Sequence, residues 1–265
     1  MRVAVLDDYA DAFGSLPCSQ RLAGHDVVAF TDSVTGAALA ERLDGFDAVV
    51  LLQQRTALPR EVVERLSTVR LVSQTGRNTS HLDLAALAAR GIVVSAGGAG
   101  GPHATAELTW ALILAAQRQL PREVTALREG RWQSTIGIGL HAKTLGVYGL
   151  GRIGALVAEV GRAFGMQVVV WGREGSLTRA TEAGYAAAAS REAFFRECDV
   201  LAVHLPLNAG TTGIVTAADL ALMKPDGLFG PGETMRATMP ARKPITTIQM
   251  MLDTMSSRCR AIKSD

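Results

Sequence analysis

The sequence predicts an α/β protein of two doubly wound, Rossmann-like lobes, each with a parallel sheet, around a cleft, and the second lobe is expected to be truncated. Apolar strand-like runs alternate with helical stretches over residues 1–94, a pattern typical of parallel sheets. A glycine-rich turn follows an apolar run at residue 149, and a glycine-rich segment at 96–102 separates the two halves. These features indicate a flavodoxin-like lobe at 1–99, an incomplete Rossmann lobe at 100–229 and an aberrant tail at 230–265.

The first lobe is expected to contain five parallel strands connected by helices. Pro59 stands where a helix would begin, and Asp83 and Gly91 stand where an N-cap and the residue after a helix are expected. No phosphate-binding glycine turn occurs in this lobe. The predicted strands are Val3–Leu6, Asp26–Phe30, Ala48–Leu52, Leu71–Ser73 and Ile92–Ser95, and the predicted helices are Gly36–Leu43, Pro59–Leu66 and Asp83–Ala89.

The segment Ala96–Pro102 holds four glycines and a proline in seven residues, a composition that a helix interior or a central strand does not tolerate. It is followed by His103–Leu120, which has a helical pattern and is apolar almost all round. Such a helix is expected to be buried, here between the lobes. Two lobes joined by a glycine hinge form a cleft, and clefts bind small ligands.

The apolar run Thr144–Tyr148 is predicted to be a buried parallel strand, and it leads directly into Gly149-Leu150-Gly151-Arg152-Ile153-Gly154. In such a turn the first glycine permits the sharp bend, the second lets the backbone approach a pyrophosphate, and the third lets the following helix pack close to the strand. The helix N-terminus then faces the phosphates. We predict a dinucleotide site at Gly149, Gly151, Arg152, Ile153 and Gly154; the alternative is a glycine-rich surface turn.

Beyond the turn, the second lobe continues to alternate between helical and strand-like patterns. A helix through Phe164 precedes a second apolar strand, which supports the dinucleotide interpretation. The predicted elements after that helix are the strand Gln167–Trp171, the helix Arg191–Arg196, the strand Val200–His204 and the helix Ala217–Met223.

The end of the second strand bears on the choice of cofactor. A carboxylate at this position normally binds the adenosine ribose, but here Gly172, Arg173 and Glu174 follow the strand. A guanidinium beside a glycine can hold a phosphate that a carboxylate would repel. NADP is therefore favoured over NAD through Arg173. The alternative is that Arg173 is a solvated loop residue and that Glu174 binds the ribose of NAD.

Composition and charge argue against several classes of protein. The chain is 48% apolar, enough for a buried core, and its net charge of +2 argues against nucleic acid or an anionic membrane as the main partner. No apolar run reaches the ~18 residues that span a bilayer, and the first apolar stretch, Val3–Leu6, is too short for a signal peptide. Three widely spaced cysteines form no metal pattern and fit a reducing, cytoplasmic location.

Short motifs in a fixed order run through the first 229 residues. They are Thr75-Gly76-Arg77-Asn78 with Leu82-Asp83-Leu84, Thr105-Ala106-Glu107-Leu108, Ala142-Lys143-Thr144-Leu145-Gly146 before the glycine turn, Val203-His204-Leu205-Pro206-Leu207 with Thr211, and Leu222-Met223-Lys224-Pro225. In order and spacing, these motifs resemble the D-isomer-specific 2-hydroxyacid dehydrogenases. The resemblance implies an NAD(P)-dependent oxidoreductase that converts a 2-oxo acid to a D-2-hydroxy acid by hydride transfer, and it suggests a homodimer.

The substrate carboxylate is expected to meet residues of the first lobe. Arg55 follows the third strand, where it would face the cleft, and it could hold this carboxylate or form a surface salt bridge. Gly76 and Arg77 follow the fourth strand, and their backbone N–H groups could cradle the same carboxylate, a role that rests mainly on the resemblance.

In the second lobe, the resemblance implies further contacts with the cofactor. Thr105 could bond the nicotinamide end or could cap a helix. By family position His204 lies beside the cofactor together with Pro206 and Thr211, so that His204 is not the catalytic histidine.

The resemblance ends after Phe229. Family members carry a carboxylate-binding arginine in an Asn-Thr-Ser-Arg-Gly segment, and an acidic residue and a histidine further on; none of these segments occurs in residues 230–265. No catalytic residue is therefore assigned. The tail also holds five of the eight methionines, and its six basic and three acidic residues give it a charge of +3. A disrupted reading frame is favoured over a divergent exon or a cloning artefact.

The change at this point has structural and functional consequences. The second lobe would lack the strands that normally follow Lys224-Pro225, and the first would lack a C-terminal helix that packs on it. The tail would be disordered or form one amphipathic helix at Ile245–Ala261. The chain is then a dehydrogenase with impaired catalysis, a non-catalytic dinucleotide-binding protein, or the remnant of a disrupted gene that does not fold stably.

Overall fold

A computed structural model describes residues 1–98, 100–208 and 210–230. The chain divides into two compact units, Met1–Gly100 and the part that begins at Gly101. Ten strands in the described part form two five-stranded sheets, one in each unit, and all strand pairs are parallel. The predicted fold class, two parallel Rossmann-like sheets with flanking helices, is confirmed.

The first unit has the strand order β2-β1-β3-β4-β5. The strands are β1 (Arg2–Leu6), β2 (Asp26–Ala29), β3 (Ala48–Leu52), β4 (Leu71–Thr75) and β5 (Val93–Gly97), and the helices are α1 (Gly36–Arg42), α2 (Arg60–Val63) and α3 (Leu84–Ala89). All five predicted strands are present. Because β1 pairs with β2 on one side and with β3 on the other, the chain reverses its direction of winding between β1 and β3.

The core of the first unit consists of aliphatic side chains from the central strands and the helices that cover them. Val49 and Leu51 of β3 are fully buried and pack with Leu39 of α1 and Leu87 of α3. A strand covered on both faces is a nearly continuous apolar run, which explains why β3 was readily recognised as Ala-Val-Val-Leu-Leu.

The second unit has the strand order β10-β9-β6-β7-β8. Its strands are β6 (Thr144–Tyr148), β7 (Gln167–Trp171), β8 (Ala186–Ala187), β9 (Val200–Val203) and β10 (Leu228–Gly230). Its helices are α4 (His103–Gln117), α5 (Leu120–Arg128), α6 (Arg152–Ala163), α7 (Glu174–Glu182), α8 (Arg191–Glu197) and α9 (Ala217–Leu222).

Two glycines allow helices to pack closely on the central strand β6. A β-carbon on Gly146 would lie 2.0 Å from Cys198 Sγ, so that β6 has room for the buried thiol after α8. A β-carbon on Gly161 would lie 2.4 Å from Leu145 Cδ2, which shows how tightly α6 packs on the same strand. Contacts this short would force the neighbouring side chains to move, and packed interiors leave few voids to receive them.

Two predictions about the region before the glycine turn need correction. The predicted helix His103–Leu120 ends at Gln117, because Gln119 takes a left-handed backbone conformation with φ of 54° and a separate helix, α5, begins at Leu120. This helix is not buried all round, since Leu108 is 59% exposed. Ala96 and Gly97 belong to the edge strand β5 and therefore lie outside the loop that was expected to begin at Ala96.

The end of the described chain also differs from expectation. The second sheet was predicted to lack the strands that follow Lys224-Pro225. One strand, β10, does form shortly after Pro225, and its residues Leu228–Gly230 pair with β9. Gly227 makes this strand possible, because a β-carbon there would lie 2.9 Å from the carbonyl oxygen of Lys224. The tail at 231–265, including the predicted helix Ile245–Ala261, lies outside the described residues.

Candidate functional site

The glycine turn between β6 and α6 is built around Gly149. This residue has φ of 94°, in the left-handed region that favours glycine. A β-carbon here would also lie 2.7 Å from Leu205 Cδ2 and 2.9 Å from the carbonyl oxygen of His204. The Gly149 amide donates to the carbonyl of Trp171 at 2.8 Å. The ends of β6, β7 and β9 therefore meet at this glycine, which no larger residue can replace.

Gly151 is the N-cap of α6, and no side chain caps this helix end. A β-carbon on Gly151 would meet nothing within 4 Å, so the turn borders open space at this point. The first N–H groups of a helix, here from Arg152 and Ile153 onward, have no acceptor within the helix. Together with the positive end of the helix dipole they attract an anion. The open turn therefore fits the diphosphate of a dinucleotide.

The end of β7 lies next to this turn. A β-carbon on Gly172 would be 3.6 Å from the Gly149 amide nitrogen. Arg173 follows as the exposed N-cap residue of α7. The structure thus brings Arg173 to the same end of the sheet as the glycine turn, where it was predicted to bind an adenosine 2′-phosphate.

Sequence reasoning missed one residue that contacts the turn. Arg179 of α7 donates from Nε to the carbonyl of Leu150 at 2.8 Å, and its Nη2 lies 3.4 Å from Ser176 Oγ. The helix itself was not predicted, because its sequence Glu-Gly-Ser-Leu-Thr-Arg-Ala-Thr-Glu has few apolar positions. The arginine fixes the middle of the glycine turn from the adjacent helix.

His204 follows β9 directly, beside the turn. Its amide donates to the carbonyl of Tyr148 at 2.9 Å. Its Nε2 is buried and has no hydrogen-bond partner in the described part of the chain. Burial lowers the pKa of His204 to about 4, so the ring is neutral near pH 7. The imidazole is therefore an uncharged ring packed beside the glycine turn.

Pro206 and Thr211 belong to the loop after His204. Thr211 is buried, and its hydroxyl donates to the carbonyl of Pro206 and accepts from the Asn208 amide at 3.0 Å. Its side chain therefore closes the loop on itself. Thr211 would therefore affect cofactor binding by fixing the shape of this loop.

The same loop is fixed by an ion pair between the partly exposed Arg191 and the buried Asp219. Arg191 of α8 donates from Nε and Nη2 to the carboxylate of Asp219, both at 2.7 Å, and from Nη1 to Tyr148 Oη at 3.1 Å. It also donates to the carbonyl of Ile214. Asp219 in turn accepts from Thr216 in a capping box at the start of α9. The pKa of Asp219 falls to about 2, against the opposing effect of burial, because of these hydrogen bonds.

Thr105 lies in the first turn of α4 and does not cap it. The N-cap is Pro102, and the carbonyl of Thr105 accepts from Thr109 Oγ1 at 2.8 Å. The capping alternative for Thr105 is therefore wrong. Its side chain is exposed at the N-terminal end of the helix.

Arg55 lies just after β3 in the first unit. Its Nη1 donates to the carbonyl of Asp7 at 2.7 Å, and its guanidinium carbon lies 5.0 Å from the centre of the Tyr9 ring. Asp7 itself, the residue after β1, is buried and bonded to Thr56. Arg55 thus stands at the carboxyl ends of β1 and β3, where the winding reverses and where α/β sheets bind ligands. The salt-bridge alternative receives no support, because the partner is a carbonyl.

Gly76 and Arg77 follow β4, next to β3. Gly76 has φ of 106°, and its amide donates to the carbonyl of Gly97 at 2.7 Å. The Gly76 amide was expected to be open to a substrate carboxylate, but this bond engages it. The Gln54 side chain reaches this turn, since its Nε2 lies 3.9 Å from the place of a β-carbon on Gly76. Arg55, Gly76 and Arg77 therefore lie at adjacent strand ends.

Metal ions and membranes are two further kinds of partner. Among the described residues, no group of three or more His, Cys, Asp or Glu side chains is placed to hold a metal ion. No helix in the same residues combines the length and the apolar character that a membrane crossing requires.

A family model described as D-isomer specific 2-hydroxyacid dehydrogenase, NAD binding domain, matches residues 110–229. The match includes the glycine turn, Arg173 and the loop after His204.

Relatives of known structure and sequence agree with this match. A phosphoglycerate oxidoreductase from Vibrio cholerae superposes with a TM-score of 0.84 at 45% identity, over 86% of this chain and 74% of that one. A D-3-phosphoglycerate dehydrogenase from Synechocystis is 32% identical over 75% of this chain and 36% of its own length. A glyoxylate reductase from Aeropyrum pernix is 35% identical over 62% of this chain and 51% of its own length. The chain thus spans between a third and about half of these last two relatives.

Proposed function

The chain belongs to the D-isomer-specific 2-hydroxyacid dehydrogenase family and carries its NAD-binding domain, and on that premise we propose that it is an NAD(P)-dependent oxidoreductase acting on a 2-oxo or D-2-hydroxy acid. The observation that carries the proposal is the open glycine turn. Gly149 and Gly154 are sterically required by the fold, whereas Gly151 faces open space at an uncapped helix end. A turn of this shape leaves room for a diphosphate.

The cofactor, when bound, would accept or supply the hydride. The amides at Gly151, Arg152 and Ile153 would hold its diphosphate, and Arg173 would bind the 2′-phosphate of NADP. No acidic residue lies between the end of β7 and Arg173, which favours NADP. The binding of NAD through Glu174 is the alternative, because Glu174 is the first residue of α7.

The acid would be recognised by the first unit. Arg55 is positively charged and is held by the Asp7 carbonyl and the Tyr9 ring, and Arg77 adds a second positive charge after β4. Gly76 shapes the turn that presents Arg77. A guanidinium binds a carboxylate through paired, charge-assisted hydrogen bonds, and the relatives are named for phosphoglycerate and glyoxylate. We therefore propose a small 2-oxo or 2-hydroxy acid as the substrate.

We further propose that catalysis is impaired in this chain. The family's arginine, acidic and histidine segments do not occur in residues 230–265, and hydride transfer to a carbonyl requires a proton donor. This same observation favours the second candidate function, a non-catalytic protein that binds the dinucleotide.

The free thiols Cys18 and Cys198 fit a cytoplasmic location.

A homodimer is proposed from an apolar surface on the second unit. This α5 surface consists of Leu120, Val124 and Leu127 of α5 with Trp132 and Ile136 of the following segment, all of them exposed. Glu123 fixes this segment against the helix through Ser134 and Thr135. Exposed apolar clusters of this kind mark interaction sites, and a self-complementary patch suits a two-fold dimer.

The experiment titrates NADPH and NADH into the protein by nicotinamide fluorescence, for the natural sequence and for Gly151→Ala. Saturable binding that Gly151→Ala weakens by about tenfold or more, with an unchanged unfolding midpoint, supports the dinucleotide site. Oxidation of NADPH is then followed with glyoxylate, hydroxypyruvate or phenylpyruvate. Steady turnover would refute impaired catalysis, and the absence of binding to a cooperatively folded sample would refute the proposal as a whole.

A further inference from the structure

Gln53, the first residue after β3, has a backbone conformation that needs support. Its φ of 57° lies in the left-handed region, which a glutamine adopts at a cost. Such residues persist where the surrounding structure holds them, and they concentrate at binding sites. Gln53 directly precedes Gln54 and Arg55, so its conformation sets the direction in which these two side chains leave the strand.

Both backbone groups of Gln53 are held by side chains from the adjacent strand, β4. The Gln53 amide donates to Thr75 Oγ1 at 2.8 Å. The Gln53 carbonyl accepts from Gln74 Nε2 at 2.6 Å, and the same nitrogen donates to the carbonyl of Thr75 at 3.0 Å. Gln74 is only 2% exposed. A buried amide with both N–H groups engaged in this way joins the two strand ends.

His81 holds the other end of the Gln74 side chain. Gln74 Oε1 lies 3.2 Å from His81 Nε2. Because the amide oxygen can only accept, Nε2 carries the proton, and Nδ1 of the same ring is buried without a partner among the described residues. Burial lowers the pKa of His81. The ring is therefore a neutral, oriented donor that fixes which end of the Gln74 amide faces Gln53.

Resting on the proposed function, we propose that Gln74, oriented by His81, is a positioning residue for recognition of the small carboxylic acid by the first unit. It holds Gln53 in its left-handed conformation, so that Gln54 and Arg55 face the same ligand as the turn at Gly76 and Arg77. The geometry supports this in two ways. The Gln74 side chain donates to both the Gln53 carbonyl and the Thr75 carbonyl at the base of that turn, and Gln54 Nε2 lies beside Gly76.

The test uses the full chain and oxamate, a stable analogue of a 2-oxo acid. Gln74→Met keeps the length and approximate volume of the side chain but removes its hydrogen bonds to Gln53 and Thr75. We expect the Kd for oxamate to rise by about tenfold, with the Kd for NADPH unchanged because that site lies in the other unit. A role in general stability alone would not separate the two ligands. Arg55→Met is the control for direct contact and should also lose oxamate affinity.

A second measurement does not depend on the acid. Backbone amide resonances of Gln53, Gln54 and Arg55 are compared by NMR between the natural sequence and Gln74→Met, and we expect them to shift and to exchange faster with solvent. Unchanged resonances, or equal oxamate affinity in both proteins, would overturn the positioning role while leaving the proposed function intact. If the natural sequence binds NADPH but no oxamate, the acid site is refuted and, with it, this inference, even where the resonances shift in Gln74→Met.

If Gln74→Met does not fold, His81→Gln and His81→Leu replace it. The glutamine can still donate to Gln74 Oε1, whereas the leucine cannot. Oxamate affinity retained by His81→Gln and lost by His81→Leu supports the proposed chain of contacts, and equal affinity in these two variants contradicts it.

Discussion

The carbonyl oxygen of Gly149 lies 2.2 Å from the position that a β-carbon on Gly154 would take. The first and last glycines of the turn are therefore in contact, and helix α6 begins as close to β6 as the backbone permits. Gly151, between them, has no atom within 4 Å of the same position. The glycines of one motif are thus required for different reasons, two by the fold and one by the open space in front of the helix.

Gly154→Ala is expected to destabilise the protein. The added methyl group would overlap a backbone carbonyl that cannot move without shifting α6, and overpacking of this kind costs roughly 1–3 kcal/mol. Urea unfolding measures the free energy of unfolding. Gly151→Ala is the matched control and should remain within about 0.5 kcal/mol of the natural sequence; equal losses in the two variants would contradict the steric argument.

Arg173→Gln is expected to weaken NADPH binding and to leave NADH binding nearly unchanged. Arg173 is exposed at the N-cap of α7, where a 2′-phosphate would gain a charge-assisted hydrogen bond worth about 1.5–3 kcal/mol. The ratio of the Kd for NADH to the Kd for NADPH, measured by fluorescence, should fall by about tenfold or more. Glu174→Gln is the companion variant. If it weakens NADH binding while Arg173→Gln changes neither affinity, the NAD alternative is correct.

The glycine turn could be predicted from sequence because its signal is local. An apolar strand, three glycines at fixed spacing and a helical pattern all lie within 144–164, and each has a steric meaning that the structure reproduces. The five strands of the first sheet were predicted for the same reason, since central parallel strands such as β3 are continuous apolar runs.

The elements that were missed depend on weak or distant signals. The break between α4 and α5 occurs at Gln119, a left-handed residue that is not a glycine, so nothing in the local composition marks it. Helix α7 is too polar for its periodicity to stand out. The hydrogen bond between Gln74 and Gln53 joins two residues that are 21 positions apart in the sequence. Gln74 lies in the polar second half of β4, Ser-Gln-Thr, so the local sequence does not mark it as a buried residue.

Arg191→Met is expected to destabilise the second unit by about 3 kcal/mol, at the low end for a broken buried pair because the arginine is partly exposed. The substitution leaves the Asp219 carboxylate, whose side chain is 9% exposed, without its guanidinium. The free energy of unfolding, from urea denaturation, measures the loss. Arg60→Met is the control, since the Arg60 side chain is 60% exposed in its ion pairs with Glu64 and Asp83, and each pair should contribute less than about 1 kcal/mol. Similar losses in the two variants would contradict a special role for Arg191.

Trp132→Glu and Ile136→Glu are expected to convert a dimer into a monomer. Trp132 is 75% and Ile136 95% exposed, on the α5 surface defined above, and a charge on each of two facing copies would be repelled and desolvated. Sedimentation velocity at several concentrations measures the mass. Leu84→Glu, on an exposed position of α3 in the first unit, should leave the mass unchanged. A natural sequence that sediments as a monomer at all concentrations would exclude a dimer through this surface.

The free energy of unfolding should fall as the pH is lowered from 6.5 towards about 4, the two pKa values of His204 in the unfolded and the folded protein. Burial moves the pKa of this residue from 6.5 to about 4. Between these values the unfolded chain binds a proton that the folded protein excludes, so acid favours unfolding; above pH 6.5 neither state is protonated and the stability contribution is complete. At 1.36 kcal/mol per pKa unit the full shift would correspond to about 3 kcal/mol, and partial exposure of the ring reduces the expected loss to roughly 2 kcal/mol.

His204→Gln isolates this effect, because glutamine does not titrate. His81 has its pKa lowered in the same direction, so the natural sequence loses stability through both histidines, and the difference between the two proteins reports on His204 alone. The free energy of unfolding is measured with urea at intervals from pH 7 to pH 4 and plotted against pH for both proteins. The two plots should be parallel above pH 6.5 and should converge below it, because the natural sequence loses stability faster. Parallel curves throughout would mean that the pKa of His204 is the same in the folded and the unfolded protein, and the claim that burial lowers it would then be wrong.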